Sequence, residues 1–206
     1  MLPLASPARL RLALQRLPED IFEPGFVAEA PLVRFLAYKG DGRISGWVRL
    51  HADRLTDLLN GCDELQLADV EIERFVDGVT GGADEIIVRR SELVAVHARG
   101  PRGDETRRRQ TRTHPMAMQS GSFLIGGHLH VPPGVDPVAN LRERPPMIPL
   151  TDAWIEYWSG GERRRQWTGT LVVNRDEADW MRPVTPEELT EGLLRPAKPI
   201  ARVTVP

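Results

Sequence analysis

From Leu32 onward, apolar and polar residues alternate with a period of two, and β-branched and aromatic side chains accompany the alternation. That pattern predicts strands with one buried face. Residues 33–38 predict one strand, Gly40-Asp41-Gly42 a hairpin turn, and 43–50 the partner strand. Residues 54–61 predict a short helical turn closed by Asn60-Gly61, 65–75 the long strand, and 85–90 and 93–97 two more. Within the long strand the alternation slips: Leu65 and Leu67 share one face, Val70 and Ile72 the other. A one-residue phase change is what a β-bulge or sharp bend produces, and it falls at Asp69.

The same pattern is written twice. Leu67-Ala68-Asp69-Val70-Glu71-Ile72-Glu73-Arg74-Phe75 recurs, altered, as Leu150-Thr151-Asp152-Ala153-Trp154-Ile155-Glu156-Tyr157-Trp158, with the slip now at Asp152. Residues 35–46 align without a gap on 116–127, placing Gly40 on Gly121, Ile44 on Ile125 and Gly46 on Gly127. Residues 86–92 align on 171–177, so the offset drifts only from 81 to 85 across the module. Two copies are too few for a solenoid. The fold class expected is therefore mainly β: two tandem small antiparallel β-barrels, an internal duplication, with short N- and C-terminal helices.

The expected boundaries are a helical arm over 1–30, barrels over 31–98 and 114–183, and between them a flexible arginine-rich linker over 99–113. A C-terminal helix and extended tail occupy 184–206. In the arm, Ser6 can N-cap, Pro7 starts the helix, and Leu10, Leu14 and Leu17 form a stripe. Thr185-Pro186-Glu187-Glu188 is a capping box for the last helix. Each copy spans about 65 residues, a size at which burial is marginal for a lone domain, so the copies must lean on each other or on another chain.

The formal net charge of −2 argues against a function set by a basic field. Of 27 basic residues only Lys39 and Lys198 are lysines, a bias that fits a GC-rich genome. Cys62 is the single cysteine, which excludes an intrachain disulfide and a cysteine-based zinc site. No run of 18 apolar residues, the length that could span a bilayer as a helix, occurs in the sequence. The N-terminus lacks the apolar stretch of a secretion signal, so a cytoplasmic location is expected.

Ile44-x-Gly46, Arg54-Leu55-x-Asp57-x-Leu59-Asn60, Leu67-x-Asp69-Val70-x-Ile72 and Ile86-Ile87-Val88 together resemble an uncharacterised bacterial domain of unknown function. Its pattern is similar to that of the Sm-like and SH3-like small β-barrels. The resemblance covers residues 35–98 well and 116–183 loosely. It implies a small bent barrel in each half and, since Sm proteins form rings of RNA-binding subunits, association into an oligomer.

Candidate chemistry is sparse. His128-x-His130 would place two imidazoles on one side of a strand, the start of a metal site that lacks a third ligand in sequence. Ordinary surface or interface histidines are the favoured reading. Asp69 and Asp152 are candidate paired acids, but their repetition favours structural carboxylates that accept N–H bonds at the bend. Arg107, Arg108, Arg109 and Arg112, and Arg163, Arg164 and Arg165 before Trp167, suit single-stranded nucleic acid, where charge tracks phosphate and a ring stacks a base. Four of the five tryptophans lie in the second copy. Trp154 replaces Glu71, so an outward indole there predicts a covered surface, and Trp154, Trp158 and Trp167 are the expected protein interface. No cofactor, phosphate loop or nucleophile elbow is present in the sequence. The expectation is a non-catalytic binding or scaffold protein associating through its second repeat with a protein partner or with itself. An RNA- or DNA-binding protein is the alternative, and a metal-dependent enzyme a weaker one.

Overall fold

The computed structural model describes residues 29–101 and 110–191. Its elements are β1 (Leu32–Lys39), β2 (Gly42–Arg49), α1 (Leu55–Gly61), β3 (Glu64–Arg74), β4 (Thr80–Arg89), a 3-10 turn (Arg90–Glu92) and β5 (Leu93–His97). There follow β6 (Arg112–Ser120), β7 (Phe123–Val131), α2 (Pro137–Glu143), β8 (Met147–Ser159), β9 (Glu162–Asn174), a second 3-10 turn (Arg175–Glu177), β10 (Trp180–Pro183) and α3 (Pro186–Glu191). The helix predicted within 1–30, the tail beyond Glu191, and Arg107, Arg108 and Arg109 lie outside the described residues.

The expected pair of closed barrels does not form. All ten strands belong to one antiparallel sheet, in the order β10-β6-β7-β8-β9-β5-β1-β2-β3-β4. A barrel over 31–98 would need β5 to pair with β4; instead β5 gives its second edge to β9, with Ala95 opposite Val173, Val96 opposite Val172 and His97 opposite Leu171. The reason lies in the runs Leu93-Val94-Ala95-Val96 and Leu171-Val172-Val173, which are apolar on both faces and buried throughout. A strand of that kind belongs in the middle of a structure. Here it divides two cores: Val94, Ala95, Leu171 and Val173 face one, Leu93, Val96 and Val172 the other.

Each half nevertheless has the same internal order, β5-β1-β2-β3-β4 and β10-β6-β7-β8-β9. Each carries the same irregularity. Pairing steps by one residue between Ser45 and Trp47 against β3, and between Gly126 and His128 against β8. At these steps Asp69 has φ 49° and Asp152 φ 46°, the positive-φ non-glycine residues among those described. A Cβ on Gly46 would lie 2.8 Å from the Ala68 carbonyl, and one on Gly127 2.9 Å from the Leu150 Cβ. The strand facing each bulge therefore needs a glycine.

Each core borrows from the other half. Tyr38 and Phe75 join the core built by Phe123, Ile125, Ile155 and Tyr157, while Met147 and Val172 complete the core of Phe35, Val48, Leu59 and Leu67. The sheet curls far enough for the end of β3 to meet the β8–β9 turn: Gly160 N–H donates to the Phe75 carbonyl at 2.9 Å, and the Phe75 and Tyr157 rings stack at 4.7 Å. No strand pairing closes that circle. The helices are short and locally specified. Asp136 caps α2 by accepting from Ala139 N–H at 2.8 Å. Thr185 and Glu188 exchange the reciprocal bonds of a capping box at α3.

Candidate functional site

The outward face of the second half carries the densest group of chemically distinctive side chains. The β8–β9 ladder sets Trp154 opposite Trp167, Glu156 opposite Arg165 and Trp158 opposite Arg163. Glu156 is buried, and its carboxylate accepts from Arg163 Nε at 2.7 Å and Arg165 Nε at 2.9 Å. The Arg165 guanidinium also lies 4.3 Å from the Trp154 ring centroid, a cation–π distance. Trp154 is 0% exposed. It lies under α3, packed on Leu124 and Leu189, and its indole N–H donates to the Leu189 carbonyl at 3.1 Å.

Trp154 thus stands on the solvent side of the sheet, and what covers it is the chain's own C-terminal helix, so it is not an open contact for a partner. Trp167, beside it at 6.4 Å between ring centroids, is 60% exposed, and Trp158 is half-buried. Trp180 on β10 is also partly open, with the Arg182 guanidinium 5.8 Å from its ring.

The arginines that suggested phosphate binding are divided. Arg163 and Arg165 neutralise Glu156, and Arg164 lies 4.0 Å from Glu73. Arg112 is exposed at the start of β6. Among the described arginines, the second cluster is thus engaged with carboxylates and does not form a free basic surface.

His128 and His130 share one side of β7, in different surroundings. His130 Nε2 is 2.9 Å from Thr151 Oγ1 and its Nδ1 is 3.1 Å from Thr111 Oγ1, so both ring nitrogens are occupied by hydroxyls. His128 Nδ1 is buried and has no hydrogen-bond partner among the described residues. No group of three or more His, Cys, Asp or Glu that could hold a metal occurs among the described residues. Asp69 and Asp152 hold left-handed backbone at the two bulges, and neither carboxylate receives a backbone N–H among the described residues. The backbone conformation, which Asp tolerates better than most residues, is what the two sites share.

One polar cluster escaped the sequence reading. His97, buried at the end of β5, has Nε2 3.3 Å from the Tyr38 hydroxyl and Nδ1 3.3 Å from Thr168 Oγ1. Tyr38 in turn donates to Gln166 Oε1 at 2.8 Å. Burial, followed by the charges of Arg99 and Arg43, pushes the His97 imidazole down to about 4. Burial also lifts the Tyr38 hydroxyl above its ordinary value. Nothing local marks these residues, because they come from β1, β5 and β9, which are distant in sequence and become neighbours only in the assembled sheet.

An open groove of about 430 Å³ on the first half is lined by Leu32, Trp47, Leu58, Cys62, Gln66 and Glu85. The Cys62 thiol donates to the Leu58 carbonyl at 3.1 Å, and His51 also lines the groove. No family model matches the chain, and no curated protein or solved structure matches it either. No helix among the described residues is long and apolar enough to cross a membrane.

Proposed function

We propose that this protein is a non-catalytic scaffold of two duplicated β modules, and that copies of it associate through the edge strand of the second module. The carrying observation is the seam inside the chain. There the fourth strand of one half, β9, pairs with the fifth strand of the other, β5. The counterparts of these strands, β4 and β10, are the two outermost strands of the sheet. An antiparallel edge with unpaired N–H and C=O groups is a template for strand addition. Shifting the seam register by the 85-residue offset sets Trp180 against Val88, Met181 against Ile87 and Arg182 against Ile86. Ile87, on the receiving edge, is 69% exposed.

Light scattering over a range of concentrations tests the reading, with Ile87→Lys as the probe. Substitution at so exposed a position changes monomer stability by no more than about 0.5 kcal/mol. The native chain is expected to give a defined oligomer and the variant a monomer. A native chain that stays monomeric at every concentration, or a variant that assembles equally well, rejects the reading. Salt-dependent retention on heparin together with a shift of single-stranded RNA or DNA would turn the choice to nucleic-acid binding.

A further inference from the structure

The open groove on the first half has an apolar floor and a divided charged lining. Leu32 is 52% exposed there and Trp47 42% exposed, and Leu58 and Cys62 supply another wall, from α1 and the residue after it. Apolar surface left in water costs roughly 25 cal/mol per Å² relative to being covered. Glu64 and Glu85 line the β3–β4 side, while Arg49 ends β2 and His51 follows it. Arg49 is 3.5 Å from Glu29, so its charge is already answered. On the other side Glu85 is exposed, and Glu64, 3.6 Å from Arg89, has a side chain 59% exposed.

Where the described chain begins decides what can reach this groove. Glu29 pairs with Arg49 of the groove wall, the Pro31 carbonyl accepts from Leu50 N–H at 2.9 Å, and Leu32 is itself part of the lining. The segment ahead of Glu29, outside the described residues, therefore departs from the groove's own rim. In sequence that segment holds the stripe Leu10, Leu14 and Leu17, on a helix predicted to start at Pro7. Eleven residues, Pro18 to Ala28, separate the stripe from Glu29 and span at most about 40 Å. The dimensions agree: Leu10 to Leu17 covers about 10 Å on a helix, and Glu64 to Ala68, the part of β3 along the groove, about 13 Å. The charges agree as well. Residues 1–17 contain Arg9, Arg11 and Arg16 and no acidic residue, against the carboxylates of Glu64 and Glu85.

We propose that the groove is a docking site for the N-terminal segment of the same chain: the leucine stripe covers Leu32, Trp47 and Leu58, and the arginines face Glu64 and Glu85. The tether makes the contact intramolecular, at an effective concentration on the order of millimolar, so a short apolar stripe is enough to hold it. The second half has a cover of the same kind in α3, whose Leu189 packs on Trp154. Docking of this segment uses a face of the sheet and not its edge, so it stands whether or not copies associate through β10.

Cys62 lines the groove and is the single cysteine, so its alkylation in the intact chain reports the cover. Leu14→Asp puts a charge in the middle of the stripe. It is expected to raise the alkylation rate about tenfold, the low end of what one buried leucine is worth. A second readout fixes the geometry. A short bismaleimide should link Leu14→Cys to Cys62 within one chain, and do so several times faster than it links Leu12→Cys, which falls off the stripe. Equal alkylation rates in the native chain and Leu14→Asp overturn the proposal, as do equal linking rates for Leu14→Cys and Leu12→Cys. A link formed only between two chains also overturns it, because the occupant is then another copy's segment. Should Leu14→Asp fail to fold, the linking rates decide alone.

Discussion

The indole N–H of Trp154 donates to the backbone carbonyl of Leu189 at 3.1 Å, tying β8 to the last turn of α3. The first half has a solvent-exposed glutamate, Glu71, at the matching position. Among the described residues the two halves therefore differ at this position: a helix covers the outer face of the second, and the matching place on the first is open. Trp154→Ala would remove the floor on which Leu189 rests. It is expected to lower stability by about 3–5 kcal/mol, the range for loss of a large buried aromatic. Denaturant titration reads the loss, and limited proteolysis should show faster cleavage around α3. A loss under about 1 kcal/mol would mean that α3 does not depend on this residue.

Gly126 is the second element of the same contact. A Cβ there would lie 2.5 Å from the Trp154 ring and 2.6 Å from Leu189 Cδ1. Gly126→Ala is expected to be destabilising by about 1–3 kcal/mol through overpacking. The test is a double-mutant cycle: in a Trp154→Ala background most of that penalty should disappear. Additive effects would place the strain elsewhere.

The bulge aspartates are expected to answer to backbone geometry, not to charge. With φ near 49° and 46°, Asp69→Gly and Asp152→Gly should be neutral or slightly stabilising. Asp69→Val and Asp152→Val should each lose about 1–2 kcal/mol, since a β-branched residue pays fully for left-handed backbone. Thermal melts of the four variants decide the matter. If Gly and Val substitutions behave alike, the carboxylate has a role that the backbone argument misses.

Glu156 holds two guanidinium groups from a buried position. Both arginines are partly exposed, so the cost of Glu156→Gln is expected to be moderate, about 1–3 kcal/mol. Released from their carboxylate, Arg163 and Arg165 should also bind phosphate more readily. Retention of the variant on heparin is expected to exceed that of the native chain and to fall steeply with salt. Unchanged retention would show that these arginines do not reach solvent ligands even when freed.

Cys62 is expected to be a slow thiol. Burial raises its pKa, with Arg90 opposing and Asp63 assisting, so little thiolate is present at neutral pH. Alkylation at pH 7.5 should run slower than that of a free cysteine and speed up in denaturant. Labelling as fast as the free amino acid would contradict the half-buried position.

Much of the architecture is legible in the chain because it is written in short-range terms. The period-two alternation locates β1, β2, β3 and β5, and the slip at Asp69 and Asp152 marks the place where pairing steps. Thr185 and Glu188, three residues apart, announce the start of α3. Outward placement of Trp154 follows from counting residues along β8, but the identity of its cover does not, because α3 reaches it over β6 and β7. Likewise the run Arg163-Arg164-Arg165 reads as a basic cluster until β8 brings Glu156 beneath it.

The sequence by itself determined the strands, the bulges and the equivalence of the halves, since alternation, phase and repetition are properties of neighbouring residues. Tertiary structure alone decided that ten strands make one open sheet and not two barrels, and that Tyr38, His97, Gln166 and Thr168 meet at its seam. The physical reason is that an edge strand's backbone offers the same donors and acceptors to any partner. Which partner it takes depends on where buried apolar faces can be matched across the whole chain, and Leu93–His97 finds that match in β9.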